Sequence, residues 1–239
     1  MWLVLGQDND VEAGWVAARL AERSDRPVRW LSASTLVHDC RWEHRVGGSG
    51  ASARLVLRDG TVLDPTTVDA VVNRLCWLGA ETFTGASARD RVYASAEFYA
   101  LGLSWLESMG GRVLNRPAGT GLAGRWLRTS EWRSLARTVG LCVVPYRSDE
   151  PGVEAADTDL VALALDSEVI EADGPGVSTA VRDALARLQH AAGLDLLGVR
   201  LEAGERLRSA SALPAMSRFG DAGIEAVHKA LLARDGALR

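Results

Sequence analysis

Residues 2–6, WLVLG, are a continuous apolar run that stops at the turn sequence QDND, and Val11, Trp15, Val16 and Leu20 follow at helical spacing. Asp8, Asn9 or Asp10 is placed to cap that helix. Pro27 to Leu31 then reads as a second strand. Two strands joined through a helix run parallel, because a parallel pair needs a long crossover. This opening therefore predicts a parallel sheet with helices packed on it.

Further along, residues 38–46 and 53–58 read as strands joined by GGSG at 47–50, and Val68 to Arg74 as a buried strand with polar residues at its end. Residues 86–109 form a helix with Tyr93, Phe98, Leu101, Trp105 and Leu106 on its apolar side. Val113-Leu114 is a short strand that stops at Asn115-Arg116-Pro117. Residues 126–139 read as a helix closed by Gly140, and Leu141 to Val144 as a strand stopped by Pro145. LVALAL and EVIEA read as a hairpin about Asp166-Ser167. An amphipathic helix over 178–192, a strand pair across Ala203-Gly204 and a last helix over 222–233 complete the chain.

Composition narrows the function classes. The chain has 239 residues, 47% apolar and 24% charged, which is ample for a buried core and excludes a disordered tail. No apolar run approaches the roughly 20 residues that cross a bilayer. The N-terminus has no basic n-region, and three scattered cysteines do not form a disulfide framework, so a cytoplasmic protein without membrane attachment is expected. The net charge of −4 and the lack of a recognisable motif argue against nucleic-acid binding. Lys229 is the only lysine, so chemistry needing two lysines is excluded.

Charge is unevenly spread. Residues 112–137 hold six arginines and one glutamate, whereas residues 149–173 hold nine acids and no base. These are either two solvated faces or an anion-binding surface beside an acidic loop. Asn115, Arg116 and Arg128 stand at the ends of neighbouring elements, where α/β sheets place ligands, and arginine grips carboxylates bidentately. Asn73 and Arg74 also end a strand, with Trp77 just beyond. They read as a carboxylate or peptide site, or as a structural salt bridge to Glu97 or Asp90. His38, Cys40 and His44 suggest zinc spacing, but a regular strand would hold the two histidines about 20 Å apart, so a half-buried sheet face is favoured. The 118–124 loop has glycines but no GK[ST], so it is no P-loop.

The order of elements and several phrases resemble the ATP-grasp superfamily, in particular the ribosomal-peptide maturases and RimK-like carboxylate–amine ligases. MWLVLGQDNDVEAGWVAARL is similar to the opening of their pre-ATP-grasp domain, and LRDGTVLD precedes VDAVVNRL as it does there. YASAEFYALGLSWLESMGGRVLNRPAG, WRSLARTVGLCVVPY, LVALALDSEVIEA and ALARLQHAAGLDLLGVRL are similar to successive later segments. The resemblance implies an α/β protein: a pre-ATP-grasp-like parallel-sheet domain at 1–117, then a truncated ATP-grasp-like α+β domain at 118–239.

It also implies where catalytic parts would stand, and they are missing. The first metal carboxylate falls at Arg200, and the Glu-x-Asn pair falls at Ser209 and Ser211 when Pro214 is aligned. Arg128 lies close to the place where the family has its first phosphate-holding lysine. The second lysine, the Gly-rich loop and the adenine hinge belong to a lid lobe, for which residues 146–159 leave no room. The expectation is a protein with no catalytic residues, no metal and no cofactor, which binds a peptide or protein partner in a peptide-modification pathway. The crevice residues are Asn73, Arg74, Trp77, Asn115, Arg116, Arg128 and Arg200. Apolar surface left by the missing lid would favour a homodimer or a heteromer. The alternative is an ATP-dependent carboxylate–amine ligase, minimal or completed by a partner subunit.

Overall fold

The computed structural model describes residues 1–47, 50–79, 83–145, 160–172, 176–202 and 205–236. The acidic 146–159 segment and the turn residues Gly48, Ser49, Ala203 and Gly204 therefore lie outside the described residues. The chain divides into two compact units, Met1–Gly124 with Leu231–Arg239, and Arg125–Ala230.

In the first unit, strand β1 (Trp2–Gly6) is buried at every position, as its unbroken apolar sequence requires. Helix α1 (Val11–Arg23) follows, and the Asp10 side chain accepts a hydrogen bond from the Ala13 amide at 3.2 Å at its N-terminus. Strands β2 (Val28–Ser32), β6 (Ala70–Asn73) and β7 (Val113–Leu114) complete a parallel sheet in the order β2-β1-β6-β7. Leu5 pairs with Leu31 on one side and Asn73 on the other. Burying a leucine such as Leu3 or Leu5 contributes about 2 kcal/mol.

Between β2 and β6 lie helix α2 (Ala33–His38) and an antiparallel sheet of β3 (Cys40–Gly47), β4 (Gly50–Leu57) and β5 (Val62–Leu63). The helix corrects the reading of 38–46 as one strand. Ser32 caps it by accepting from the Thr35 amide, so His38 ends a helix and does not share a strand face with Cys40, Trp42 and His44. Helix α3 (Ala88–Ser108) packs its C-terminal half inward, with Trp105 and Leu106 fully buried. The Trp105 indole donates to the Leu63 carbonyl at 3.1 Å and meets the Trp42 ring edge-on at 6.0 Å. Tyr93, expected on the apolar side, is 68% exposed. At about 100° per residue it stands roughly 120° around the helix from Trp105.

The second unit contains helix α4 (Thr129–Thr138), strands β8 (Leu160–Leu165) and β9 (Glu168–Glu171), helix α5 (Thr179–Ala192) and strands β10 (Leu196–Glu202) and β11 (Arg206–Ser211). Its sheet is antiparallel, in the order β11-β10-β8-β9. A hairpin is expected there, and Asp166 (φ 47°) and Ser167 (φ 71°) both have positive φ, the signature of a two-residue type I′ turn. Leu197, Val199 and Leu201 of β10 join a core with Leu185 and Leu188 of α5 and Trp132 of α4. The 141–144 segment is not a strand. Val143 makes one isolated parallel bridge to Leu207, in which the Leu207 amide donates to the Cys142 carbonyl at 2.8 Å and the Val144 amide to the Leu207 carbonyl at 3.0 Å.

Helix α6 (Gly220–Gly236) closes the chain. Arg26 pairs with its Asp235. Among the described residues, no helix is long and apolar enough to cross a membrane.

Candidate functional site: an arginine-lined sheet face

The expected crevice residues fall in two places, five in the first unit and two in the second. At the C-terminal edge of the parallel sheet, Arg74 follows β6 and Asp10 follows the adjacent β1. Arg74 Nε donates to Asp10 Oδ2 at 2.8 Å and Nη2 to Asp10 Oδ1 at 3.1 Å. The salt bridge that the sequence suggested to Glu97 or Asp90 is therefore made to Asp10, because parallel neighbours bring their C-terminal loops to one edge. Asp90 instead accepts from the Ser87 hydroxyl at 2.7 Å.

Asn73 is buried and works as a clamp. Its amide donates to the carbonyls of Asn115 at 3.1 Å and Leu122 at 2.7 Å, while its Oδ1 accepts from the Leu75 amide at 3.2 Å. Asn115, also buried, has φ 58°, a conformation Asn tolerates better than most residues. The Trp77 carbonyl accepts from Gln7 at 2.9 Å, and its ring lies so close to Gly79 that a Cβ there would fall 1.6 Å from it. Arg116 is half-exposed and pairs with Glu107 at 3.0 Å. In the turn between β1 and α1, Asp8 is held below the usual carboxylate range: burial raises it, but hydrogen bonds from Ser32 and Ser34 outweigh that.

In the second unit Arg128 is the exposed residue that opens α4, and its backbone N–H donates to the Glu131 carboxylate at 2.7 Å. Arg200 lies mid-strand in β10. Arg200 pairs with Ser209 and Gly198 with Ser211 in the antiparallel ladder, so the alternation puts all four on one sheet face. That face opens into a cavity of about 490 Å³ lined by Thr129, Val161, Arg200, Ser209, Ser211 and Arg218, among others. Pro214 covers the sheet beside it, and Gly198 permits this: a Cβ on Gly198 would lie 2.6 Å from the Pro214 Cβ. None of the described residues lining the cavity is acidic.

Arg218 and Thr129 were not singled out in the sequence. Neither belongs to a motif, and each reaches the cavity only through folding of the loop after β11 and the start of α4. Ser209 and Ser211 were located through the alignment on Pro214, and the ladder does bring them beside Arg200.

This architecture has solved counterparts. The structure of the ATP-grasp ligase PsnB complexed with minimal precursor, Mg and ADP superposes with a TM-score of 0.70 over 98% of this chain and 98% of that one, at 17% identity. The macrocyclase MdnC bound with precursor peptide MdnA, from Microcystis aeruginosa MRC, gives 0.72 over 97% and 99%, at 11% identity. The chain has an ATP-grasp-like fold. A Chryseobacterium gregarium RiPP-associated ATP-grasp ligase, in complex with ADP and a leader and core peptide, gives 0.66 over 100% and 97%, at 9% identity. No family model and no curated protein matches the sequence.

PsnB was solved with Mg and ADP, and in this chain the described residues at the positions assigned by resemblance to metal ligands do not fit that metal. Mg²⁺ requires oxygen ligands in near-ideal octahedral geometry and is usually anchored by one or two carboxylates. The positions assigned by resemblance to its ligands carry a guanidinium at Arg200 and neutral hydroxyls at Ser209 and Ser211. A guanidinium repels a cation and has no lone pair to offer it. Among the described residues no group of three or more His, Cys, Asp or Glu is arranged to hold a metal.

Proposed function

We propose that this chain is a non-catalytic ATP-grasp-like protein that binds a peptide or protein partner in a peptide-modification pathway. The observation that carries the reading is the composition of the cavity on the β10–β11 face, which has two guanidiniums and three hydroxyls but no carboxylate among its described lining. Activating a carboxylate with ATP produces an acyl phosphate, and that step depends on cations to neutralise the transferring phosphoryl group. Arg200 and Arg218 supply charge, yet among the described residues this face offers no carboxylate that would hold a divalent metal. Peptide binding is supported by the similar proteins, of which PsnB, MdnC and the Chryseobacterium ligase were each solved with a precursor, leader or core peptide.

A second reading, an ATP-dependent carboxylate–amine ligase completed by another subunit, draws on the same neighbours being ligases. A homodimer or heteromer also belongs to the proposal, as does a cytoplasmic location.

Affinity selection from a displayed library of linear peptides tests the first reading. Enrichment of one sequence pattern on the folded chain is the expected result. A folded chain that enriches no pattern would overturn it.

A further inference from the structure

We propose that the outer edge of β3 takes an extended acidic segment of a peptide partner, added to the β3-β4-β5 sheet as a fourth strand. The inference rests on the peptide-binding reading above and gives the partner a place in the first unit, apart from the β10–β11 face. β3 ends its sheet and pairs with β4 in continuous register from Cys40 to Gly47. None of the other strands that end a sheet is as long. Proteins blunt such edges with a proline or a bulge, and β3 has neither. Arg45, Val46 and Gly47 are exposed, Val46 to 78%.

The direction of its backbone follows from β4. The Leu57 amide donates to the Thr61 carbonyl at 2.9 Å, so the backbone of Leu57 points to β5. That direction alternates along a strand, so Val56, Arg54 and Ser52 bond to Arg41, Glu43 and Arg45 of β3. The N–H and C=O groups of Trp42, His44 and Val46 therefore point away from the sheet. Among the described residues none of these three has a backbone partner on that side. They form a template of three donor–acceptor pairs for an extended chain.

Side chains select the partner. Trp42 and His44 lie on the face that carries α3: the Trp42 ring meets Phe98 edge-on at 6.2 Å, and His44 Nε2 lies 3.0 Å from Ser104 Oγ. Helical spacing puts Tyr93, Glu97 and Ala100, all exposed, on the same stripe as Ser104. Because α3 packs on β4, this stripe borders the space beside β3. Alternate residues of an added strand would rest against Tyr93, Ala100 and Val46, which suits apolar side chains.

The intervening residues would share the opposite face with Arg41, Glu43, Arg45 and, on β4, Arg54. Arg41 and Arg54 both pair with Glu43, at 2.8 and 2.6 Å, whereas Arg45 makes no ion pair among the described residues. Three arginines thus share one carboxylate. Opposite charges facing each other across strands stabilise a pair, so acidic residues opposite Arg41 and Arg45 complete the balance. The pattern is acidic, apolar, neutral, apolar, acidic.

The test is an amide-shift titration of the ¹⁵N-labelled full chain with the blocked peptide Val-Glu-Val-Thr-Val-Glu-Val. Saturable shifts are expected along Cys40–Gly47, with slowed hydrogen exchange at the Trp42, His44 and Val46 amides. The counterpart with lysine at both acidic positions should bind about tenfold more weakly. Val46→Pro removes an outward N–H and no bond to β4, so the chain should fold normally and lose about tenfold in affinity. Arg45→Glu should reverse the preference between the two peptides.

Equal binding of the two peptides, full affinity in Val46→Pro, or unchanged exchange at the three amides would overturn the inference. Self-association of the native chain that Val46→Pro abolishes would assign the edge to a second copy and overturn the assignment to a peptide. If peptides selected from the library bind Val46→Pro undiminished, this edge fails while the peptide-binding reading stands. If the library yields no pattern and the acidic peptide does not bind, both fail.

Discussion

Arg74 and Asp10 form a two-point ion pair, at 2.8 and 3.1 Å, across the C-terminal edge of the parallel sheet, with Arg74 only 4% exposed. The same carboxylate accepts from the Ala13 amide at the start of α1. One side chain thus ties β6 to α1. Removing one partner of a buried pair costs roughly 3–5 kcal/mol because the other is left charged and unpaired. Asp10→Ala is expected to lower the unfolding free energy measured in urea by an amount in that range, seen as a lower midpoint with an unchanged slope. An unchanged midpoint would show that the pair contributes nothing to the first unit.

Gly198 leaves room for Pro214 to lie on the sheet beside the cavity. A methyl group there would stand 2.6 Å from the Pro214 Cβ and 3.1 Å from its backbone Cα, so the loop after β11 must move. Overpacking of this kind costs about 1–3 kcal/mol. Gly198→Ala is expected to destabilise the chain by that amount in urea unfolding, and an unchanged stability would show that the loop after β11 yields without cost.

The hairpin between β8 and β9 carries an avoidable strain. Asp166 and Ser167 both sit at positive φ, and the Ser167 amide donates to the Gln189 side chain at 3.0 Å. Ser167→Gly keeps that amide while removing the left-handed strain, and a gain of about 1 kcal/mol is expected. Thermal unfolding measures it. A fall in stability would mean that the Ser167 side chain has a role the turn geometry does not reveal.

The thiol of Cys40 is pushed up to about 11 by burial, with the Asp39 charge adding to the effect. Cys142 is exposed. Alkylation of the native chain at pH 8 is therefore expected at Cys142 well before Cys40, read by mass spectrometry of the digested product. The raised pKa also sets a sign: the folded state holds this proton more tightly, so its contribution to stability is complete below the ordinary thiol pKa of 9.0 and declines as pH rises towards 11.

Where local periodicity specified structure, it was readable. The apolar run WLVLG, the helical spacing from Val11 to Leu20 and the Asp166-Ser167 turn each depend on a few neighbouring residues, and each took the form expected of it. Helix α2 was missed because six residues between two strands offer less than two turns of pattern, and the alternation of His38, Cys40, Trp42 and His44 mimicked a strand. The partner of Arg74 lies 64 residues away, a choice made by strand order and not by local sequence. The cavity was only partly visible. Arg200, Ser209 and Ser211 could be located from the resemblance, whereas Arg218 and Thr129 reach it through tertiary packing alone.

The central claim is that this ATP-grasp-like fold uses a positively charged sheet face in place of a metal centre. Calorimetric titration of the folded chain with ATP and with ADP, each with and without Mg²⁺, tests it most directly. The account predicts no saturable heat that depends on magnesium. Micromolar nucleotide binding that requires Mg²⁺ would contradict it and would place metal ligands elsewhere in the chain.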